Sequence, residues 1–192
     1  VVLVPETEAS SFEAEVVKFN QMFKNEFAKT EPDMQMQVKK TSLPAKIMSQ
    51  NEMVKICKAT YVCPHGVERM SDTMPGLVET SNNLAIVKCI DGNFTVNCLV
   101  RSSIDSAKMA VMHKIGSLFD LINANVEFEG AYPGWKPNMD SLILKTMLKT
   151  YEELYGKTPE IKAIHAGLEC GLLGGVYPHW DMISFGPTIR NP

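Results

Sequence analysis

The chain has 192 residues, of which 45% are hydrophobic and 21% charged, and its formal net charge is −3. This is the composition of a globular protein with a sizeable core, and so small a charge excludes recruitment by nucleic acid or an anionic membrane through bulk electrostatics. No run of about 18 apolar residues is present, which excludes a membrane-spanning helix. Five cysteines without zinc-ribbon spacing favour reduced thiols in a cytoplasmic protein.

The first forty residues alternate predicted strands and a helix. An apolar run at residues 1–4 predicts a short strand, and the capping box Ser10-x-x-Glu13 predicts the start of a helix. The alternating sequence MQMQVKK at residues 34–40 predicts a half-exposed strand. Between them, apolar side chains recur at helical spacing and predict one apolar helix face: Phe12, Val16, Phe19, Phe23 and Phe27.

A second helix and a hairpin follow. The capping box Ser49-x-x-Glu52 predicts a helix that Pro64 ends. The dipeptide Asp91-Gly92 between two apolar stretches predicts a type I′ hairpin turn, because both central residues of that turn need a positive φ. The predicted apolar face of the helix is Met53, Val54, Cys57 and Tyr61.

The hairpin turn also predicts a register. Cys89 faces Phe94, Val87 faces Val96, and Ala85 faces Cys98, which gives one apolar face. The same register places Asn82 opposite Arg101, on the more polar face of the hairpin.

A third helix and another strand complete the first part of the chain. Asp105 or Ser106 is the predicted N-cap of the helix, and VEFEGAY at residues 126–132 reads as a strand. Helices on one face of an antiparallel sheet form an α+β fold, here with ferredoxin-like elements. The apolar face of the helix is predicted to hold Val111, Ile115, Leu118, Phe119 and Ile122.

The pattern changes at YPGWKPNMD, residues 132–140, which its proline and glycine content marks as a linker. Beyond it, Asp140 or Ser141 is predicted to cap a helix that ends at Gly156. Two apolar strands, separated by a glycine-rich loop, are predicted to follow. One helix and two strands are too little for an independent core, so this part must pack on something larger.

The glycine-rich stretch AIHAGLECG holds an imidazole, a carboxylate and a thiol. His165 and Glu169 have the spacing of a helical metal pair, but Gly167 and Gly171 argue against a helix. Cys170 near His165 admits a nucleophile and base, although a buried structural thiol is the commoner case. The interpretation that we favour is a pocket edge that follows a strand.

Arg101 is the other polar candidate. A guanidinium on a rigid sheet can hold a carboxylate through two hydrogen bonds. The alternative is a structural ion pair with Glu79 or Asp105, and the spacing favours neither. His179-x-Asp181 has a metal-ligand spacing, but the favoured interpretation is a polar loop before the last predicted strand. The common zinc, hydrolase and dinucleotide motifs are absent.

Five stretches together resemble a known family: RMSDTMPGLVETSNNLAIV, CLVRSSIDS, YPGWKPNMDS, IKAIHAGLECGLL and DMISFGPTIRNP. They are similar to the aminoacyl-histidine (Xaa-His) dipeptidases, relatives of carnosinase among the cocatalytic di-zinc metallopeptidases. The resemblance runs from about residue 67 to residue 192, and residues 1–66 fit the same family with weaker motifs.

The resemblance implies a catalytic domain interrupted by a lid domain of ferredoxin-like elements. Residues 1–132 would be part of the lid, a dimerisation-type domain, and residues 137–192 a partial catalytic domain. The chain opens on VVLVPE without Met and closes on SFGPTIRNP without a polar tail, so we expect a fragment of a longer protein. The expected fold is α+β, with ferredoxin-like lid elements and a partial α/β segment.

The resemblance also implies that the full-length parent is a cytoplasmic hydrolase of Xaa-His dipeptides such as carnosine, with two divalent metal ions, zinc by preference. The family's metal ligands and general base have no matching positions here. We therefore expect no catalytic residue, metal or cofactor in this chain, and no activity from it alone.

Substrate-binding residues carry over by position. Arg101 resembles the lid arginine that holds the substrate's terminal carboxylate. The family pattern matches Asn83 to a nearby lid asparagine, whereas the hairpin register favours Asn82, and a bulge would reconcile the two. The stretch around His165 and Glu169 resembles the loop that lines the dipeptide's pocket near its amino end.

The expected partners are a dipeptide substrate and further copies of the chain in a homo-oligomer, with no nucleic acid and no membrane. Two other functions stay open. One is a non-catalytic ferredoxin-like interaction or dimerisation module that pairs through strand edges. The other is a cysteine hydrolase that uses Cys170 and His165.

Overall fold

The computed structural model describes residues 1–164 and 168–186, without the side chain of Leu168. It divides into two compact units, Val1–Ser49 and Gln50–Pro192, so the boundary predicted between residues 132 and 137 falls within the second unit and stays a prediction. The first unit contains a 3-10 turn at Glu6–Glu8 and helix α1 at Ala9–Glu26. The second contains α2 (Gln50–Val62), β1 (Gly66–Met70), β2 (Val78–Ile90), β3 (Asn93–Ser102), α3 (Asp105–Asp120), α4 (Leu142–Tyr155) and α5 (Leu168–Val176).

Helix α1 carries the predicted aromatic face. The ring centroids of Phe19 and Phe23 lie 6.0 Å apart, and those of Phe23 and Phe27 lie 6.3 Å apart. The predicted capping box is wrong, because the 3-10 turn continues directly into the helix and Glu8 occupies the N-cap without a side-chain cap.

The two strands predicted in the first unit are wrong. Residues 1–4 and 34–40 have no regular structure, and no strand is described in residues 1–49 that could pair with them. Alternation selects the face that a strand would bury, but a strand also needs a hydrogen-bonded neighbour. Instead, the backbone N–H of Met36 donates to Oδ1 of Asn20 at 2.8 Å.

The second unit is built on an antiparallel sheet with the order β1-β2-β3. The predicted turn is confirmed, with a φ of 51° at Asp91 and 81° at Gly92. The register beside the turn is also as predicted, with Cys89 opposite Phe94 and Val87 opposite Val96.

A β-bulge at Ala85 changes the register further along the hairpin. Leu84, and not Ala85, lies opposite Cys98. The predicted pairing of Asn82 with Arg101 is therefore wrong, because Ser81 is the residue opposite Arg101. An extra residue in one strand shifts every later pair by one.

Helices α2 and α3 cover one face of the sheet, which confirms the α+β class. The predicted face of α3 is confirmed, although Ile104 precedes the helix as N-cap and Asp105 lies in its first turn. The predicted face of α2 is wrong: Met53, Val54, Cys57 and Tyr61 are all exposed. The core between helices and sheet consists of Ala59, Cys63, Val111, Ile115 and Phe119, flanked by Leu84, Val96, Cys98 and Val100.

The last part of the chain departs most from prediction. Residues 126–132 have no regular structure, so the predicted strand is wrong. Helix α4 is capped as predicted, since Oγ of Ser141 accepts from the N–H of Leu144 at 3.0 Å and Gly156 has a φ of 65°.

The strands predicted at residues 160–171 and 181–188 are wrong in the described residues, because 160–164 and 181–186 are irregular and 168–171 belong to α5. Residues 165–167 and 187–188 lie outside the described part of the chain. The glycine-rich loop predicted between the strands is also wrong, since α5 extends to Val176. No helix among the described residues is long and apolar enough to cross a bilayer.

Candidate functional site

The face of the sheet opposite α2 and α3 carries the candidate polar residues. Even-numbered residues of β3 from Phe94 to Val100 are half-buried, so the odd-numbered ones, Arg101 among them, project to the other side. Asn83 lies opposite Leu99, two residues before Arg101 on the same face. Such diagonal neighbours are typically about 7–8 Å apart, within reach of one small ligand.

Asn82 lies on the covered side of the sheet. It is 2% exposed, and its Nδ2 donates to the carbonyl oxygen of Pro64 at 2.6 Å. Its Oδ1 is buried and has no hydrogen-bond partner in the described part of the chain. Of the two candidate asparagines, the structure thus brings Asn83 and not Asn82 to the face of Arg101.

Both carboxylates that could have paired with Arg101 have other partners. Glu79 is 5% exposed and accepts from the guanidinium of Arg69 on β1. Oδ1 of Asp105 accepts from Nζ of Lys108 at 2.7 Å and from the N–H of Gly134 at 2.9 Å. The side-chain hydrogen bond from Lys108 and the backbone N–H of Gly134 lower the pKa of Asp105.

The guanidinium of Arg101 is therefore available. Within residues 1–164 and 168–186, Arg101 is half-buried and forms no salt bridge and no side-chain hydrogen bond. An unpaired cation on a rigid strand is suited to bind a ligand carboxylate. The ion-pair alternatives considered from the sequence are contradicted by the pairing of Glu79 with Arg69 and of Asp105 with Lys108.

The other candidate stretch is described only in part. His165 lies outside the described residues. Glu169 is exposed in the first turn of α5, and Cys170 beside it is half-buried. Burial, followed by the charge of Glu169, raises the pKa of the Cys170 thiol. A nucleophilic cysteine needs the opposite shift, so this environment disfavours a cysteine hydrolase.

The described residues do not fit a metal centre. Nowhere in them do three His, Cys, Asp or Glu side chains converge on one point. Asp181, which has a metal-ligand spacing to His179, instead accepts from the N–H of Ile143 at 3.0 Å. That hydrogen bond at the start of α4, and the hydroxyl of Ser141, lower the pKa of Asp181.

Two polar groups near the site were missed from the sequence. Arg69 lies on β1, a five-residue strand not predicted from the sequence, although the run GVERM between Pro64 and Ser71 is a short strand signal. Lys108 also went unnoticed: its Nζ donates to the carbonyl of Tyr132 as well as to Asp105. The contact with Tyr132 depends on how the predicted linker folds, so the sequence alone does not reveal it.

No family model matches the chain. It is 42% identical over 179 residues to the cytosol non-specific dipeptidase of Escherichia coli (strain K12), an alignment that covers 91% of this chain and 36% of that protein. It also superposes on the crystal structure of aminoacylhistidine dipeptidase from Vibrio alginolyticus with a TM-score of 0.90 and 39% identity. That match covers 98% of this chain and 39% of the Vibrio chain.

The chain is homologous to a segment of these dipeptidases. The resemblance stated from the sequence motifs is thereby confirmed. The α+β fold is confirmed as well, because the superposition with a TM-score of 0.90 covers nearly the whole chain. The chain spans 36% to 39% of the length of the two relatives.

Proposed function

We propose that this chain is part of a metal-dependent dipeptidase that hydrolyses Xaa-His dipeptides such as carnosine. Support comes from the two relatives, one named a non-specific dipeptidase and the other an aminoacylhistidine dipeptidase. The chain would contribute lid residues from 1–132 and pocket residues from 137–192. The two divalent metal ions, zinc by preference, would be bound by residues of the parent protein and not by this chain.

The observation that carries the proposal is Arg101, a half-buried residue whose guanidinium has no partner among the described residues. A dipeptide ends in a carboxylate, and a guanidinium can hold both of its oxygens in one plane. Asn83 on the same face would donate a further hydrogen bond from its amide. Fixing the carboxyl end in this way orients the peptide bond for hydrolysis by groups outside this chain.

The amino end of the dipeptide would lie toward the start of α5. Glu169 in the first turn of that helix is exposed and offers a carboxylate to the substrate's ammonium group. His165, three residues before the described start of α5, would border the same pocket. The whole protein would be a cytoplasmic homo-oligomer.

The test compares two cations on one sheet face. In the complete enzyme, Arg101→Ala should lower kcat/KM for Ala-His about 30- to 1000-fold, the effect of about 2–4 kcal/mol for a lost charge pair. Lys88→Ala is the control, because Lys88 lies on the same face near the hairpin turn, opposite Thr95. Equal kinetics for both variants would refute the role of Arg101.

A second candidate is a non-catalytic interaction module, favoured by apolar side chains on the same face. Val67 is 56% exposed and Leu99 54% exposed. If self-association is the function of this face, Leu99→Ser should abolish it in light scattering, while dipeptides should not compete. Binding of a dipeptide to this face that is lost in Arg101→Ala would instead support the dipeptidase.

A further inference from the structure

One layer of backbone separates the end of β3 from helix α5. A Cβ placed on Gly134 would lie 2.6 Å from the carbonyl carbon and oxygen of Ser103. A Cβ placed on Gly171 would lie 2.7 Å from the carbonyl oxygen of Pro133. Neither glycine has a positive φ, so close packing, and not backbone conformation, requires glycine at these two positions.

The layer consists of residues 132–134, and side chains from the first turn of α3 form hydrogen bonds to its backbone. Asp105 accepts from the N–H of Gly134 at 2.9 Å, and Nζ of Lys108 donates to the carbonyl oxygen of Tyr132. Lys108 and Asp105 also pair with each other at 2.7 Å. Residues 132–134 are thus held by α3 and covered by α5, although their composition predicts a linker.

The layer lies between the chain segment that follows Arg101, the Arg101 wall of the proposed site, and helix α5, which carries Glu169 and forms the Glu169 wall. Ser103 follows Arg101 by two residues on the chain, and Gly171 follows Glu169 by two residues on α5. From this stack of Ser103, Gly134 and Gly171 we infer that Gly134 and Gly171 are positioning residues, which set the distance between the Arg101 wall and the Glu169 wall. This inference rests on the proposed function.

The size of the effect follows from the contact distances. Restoring an ordinary contact of about 3.4 Å at Gly171 requires a displacement of about 0.7 Å, from the present 2.7 Å. A displacement of about 1 Å can lower a rate about 100-fold when both ends of a substrate must be held. We therefore expect Gly171→Ala to lower kcat/KM for Ala-His about 10- to 100-fold in the complete dipeptidase.

Gly174→Ala is the matched control in the same helix. A Cβ at Gly174 would meet only the terminal methyl of Met182, at 3.3 Å, and this flexible side chain can move. Both variants replace a helical glycine by a better helix former. We expect kcat/KM of Gly174→Ala to stay within about twofold, and equal losses in the two variants would overturn the inference.

A second measurement separates positioning from general damage. L-histidine has the carboxylate that Arg101 would bind but does not reach the Glu169 wall. In Gly171→Ala its inhibition constant should stay within about twofold of the parent value, while KM for Ala-His rises. A parallel weakening of both would indicate a damaged fold and overturn the positioning role.

Variants at Asp105 keep the test open if Gly171→Ala does not fold. Asp105→Asn retains an oxygen that accepts from Gly134 and should retain activity, whereas Asp105→Ala should reproduce the selective loss for Ala-His. If Arg101→Ala impairs the enzyme while Gly171→Ala and Asp105→Ala do not, only the positioning inference fails. If Arg101→Ala is also without effect, the proposed function fails.

Discussion

Asn82 and Asn83 are adjacent in sequence, and the structure predicts opposite consequences for their loss. Asn82→Ala removes the donor to the Pro64 carbonyl, an acceptor inside the protein. A buried polar group without its partner costs about 1–3 kcal/mol. The change also removes the buried Oδ1, which has no partner in the described residues, so the lower part of that range is expected.

The assay is denaturation of the parent and of the two alanine variants under identical conditions. For a protein of this size, each kcal/mol corresponds to about 2–4 °C in Tm. Asn82→Ala should therefore lower Tm by about 2–6 °C, whereas Asn83→Ala, at an exposed position, should change it by less than about 2 °C. Equal losses, or a larger loss for Asn83→Ala, would refute the assignment of Asn82 to structure.

Three further predictions concern Cys63, Asp105 and Asn83. Burial and the adjacent Cys98 thiol raise the pKa of Cys63 to about 12. Native protein treated with iodoacetamide at pH 8 should therefore be alkylated at the exposed Cys57 and Cys89 long before Cys63. Early modification of Cys63, detected by mass spectrometry, would contradict this. The pKa of Asp105 is lowered from 3.8, so its bonds to Lys108 and Gly134 stabilise the fold above that value and are lost as pH falls through the folded-state pKa. Asp105→Asn should accordingly lose less stability than the parent between neutral pH and the acid range, which denaturation midpoints would show. Asn83→Ala in the complete dipeptidase should raise KM for Ala-His about 5- to 13-fold, the effect of one hydrogen bond of about 1–1.5 kcal/mol. An unchanged KM would remove Asn83 from the site.

Local patterns predicted the elements whose stability is mostly local. The aromatic face of α1, the apolar face of α3, the turn at Asp91-Gly92 and the Ser141 cap each depend on residues close together in the sequence. The strand predicted at residues 34–40 failed because a strand also requires a neighbour, which no local pattern supplies. The position of the bulge at Ala85 has no local signal, since residues 84–87 are all apolar and fit either register; a bulge was considered only because the family pattern and the hairpin register favoured different asparagines.

Tertiary contacts decided the parts of the site that sequence reasoning missed. Glycine is a poor helix former, so Gly171 argued for a loop, yet the close approach of the Pro133 carbonyl requires glycine within α5. Arg101 was predicted either to bind a ligand carboxylate or to form an ion pair. The choice depended on which cations Glu79 and Asp105 contact in the fold. Their pairing with Arg69 and Lys108 is a property of the fold.

The most direct test of the account removes the charge from the substrate as well as from the protein. In the complete dipeptidase, kcat/KM should be measured for Ala-His and for its C-terminal amide, with the parent enzyme and with Arg101→Ala. The parent enzyme should prefer the free acid about 30- to 1000-fold, and Arg101→Ala should lose nearly all of this preference. An undiminished preference in Arg101→Ala would show that another group, and not Arg101, binds the substrate carboxylate.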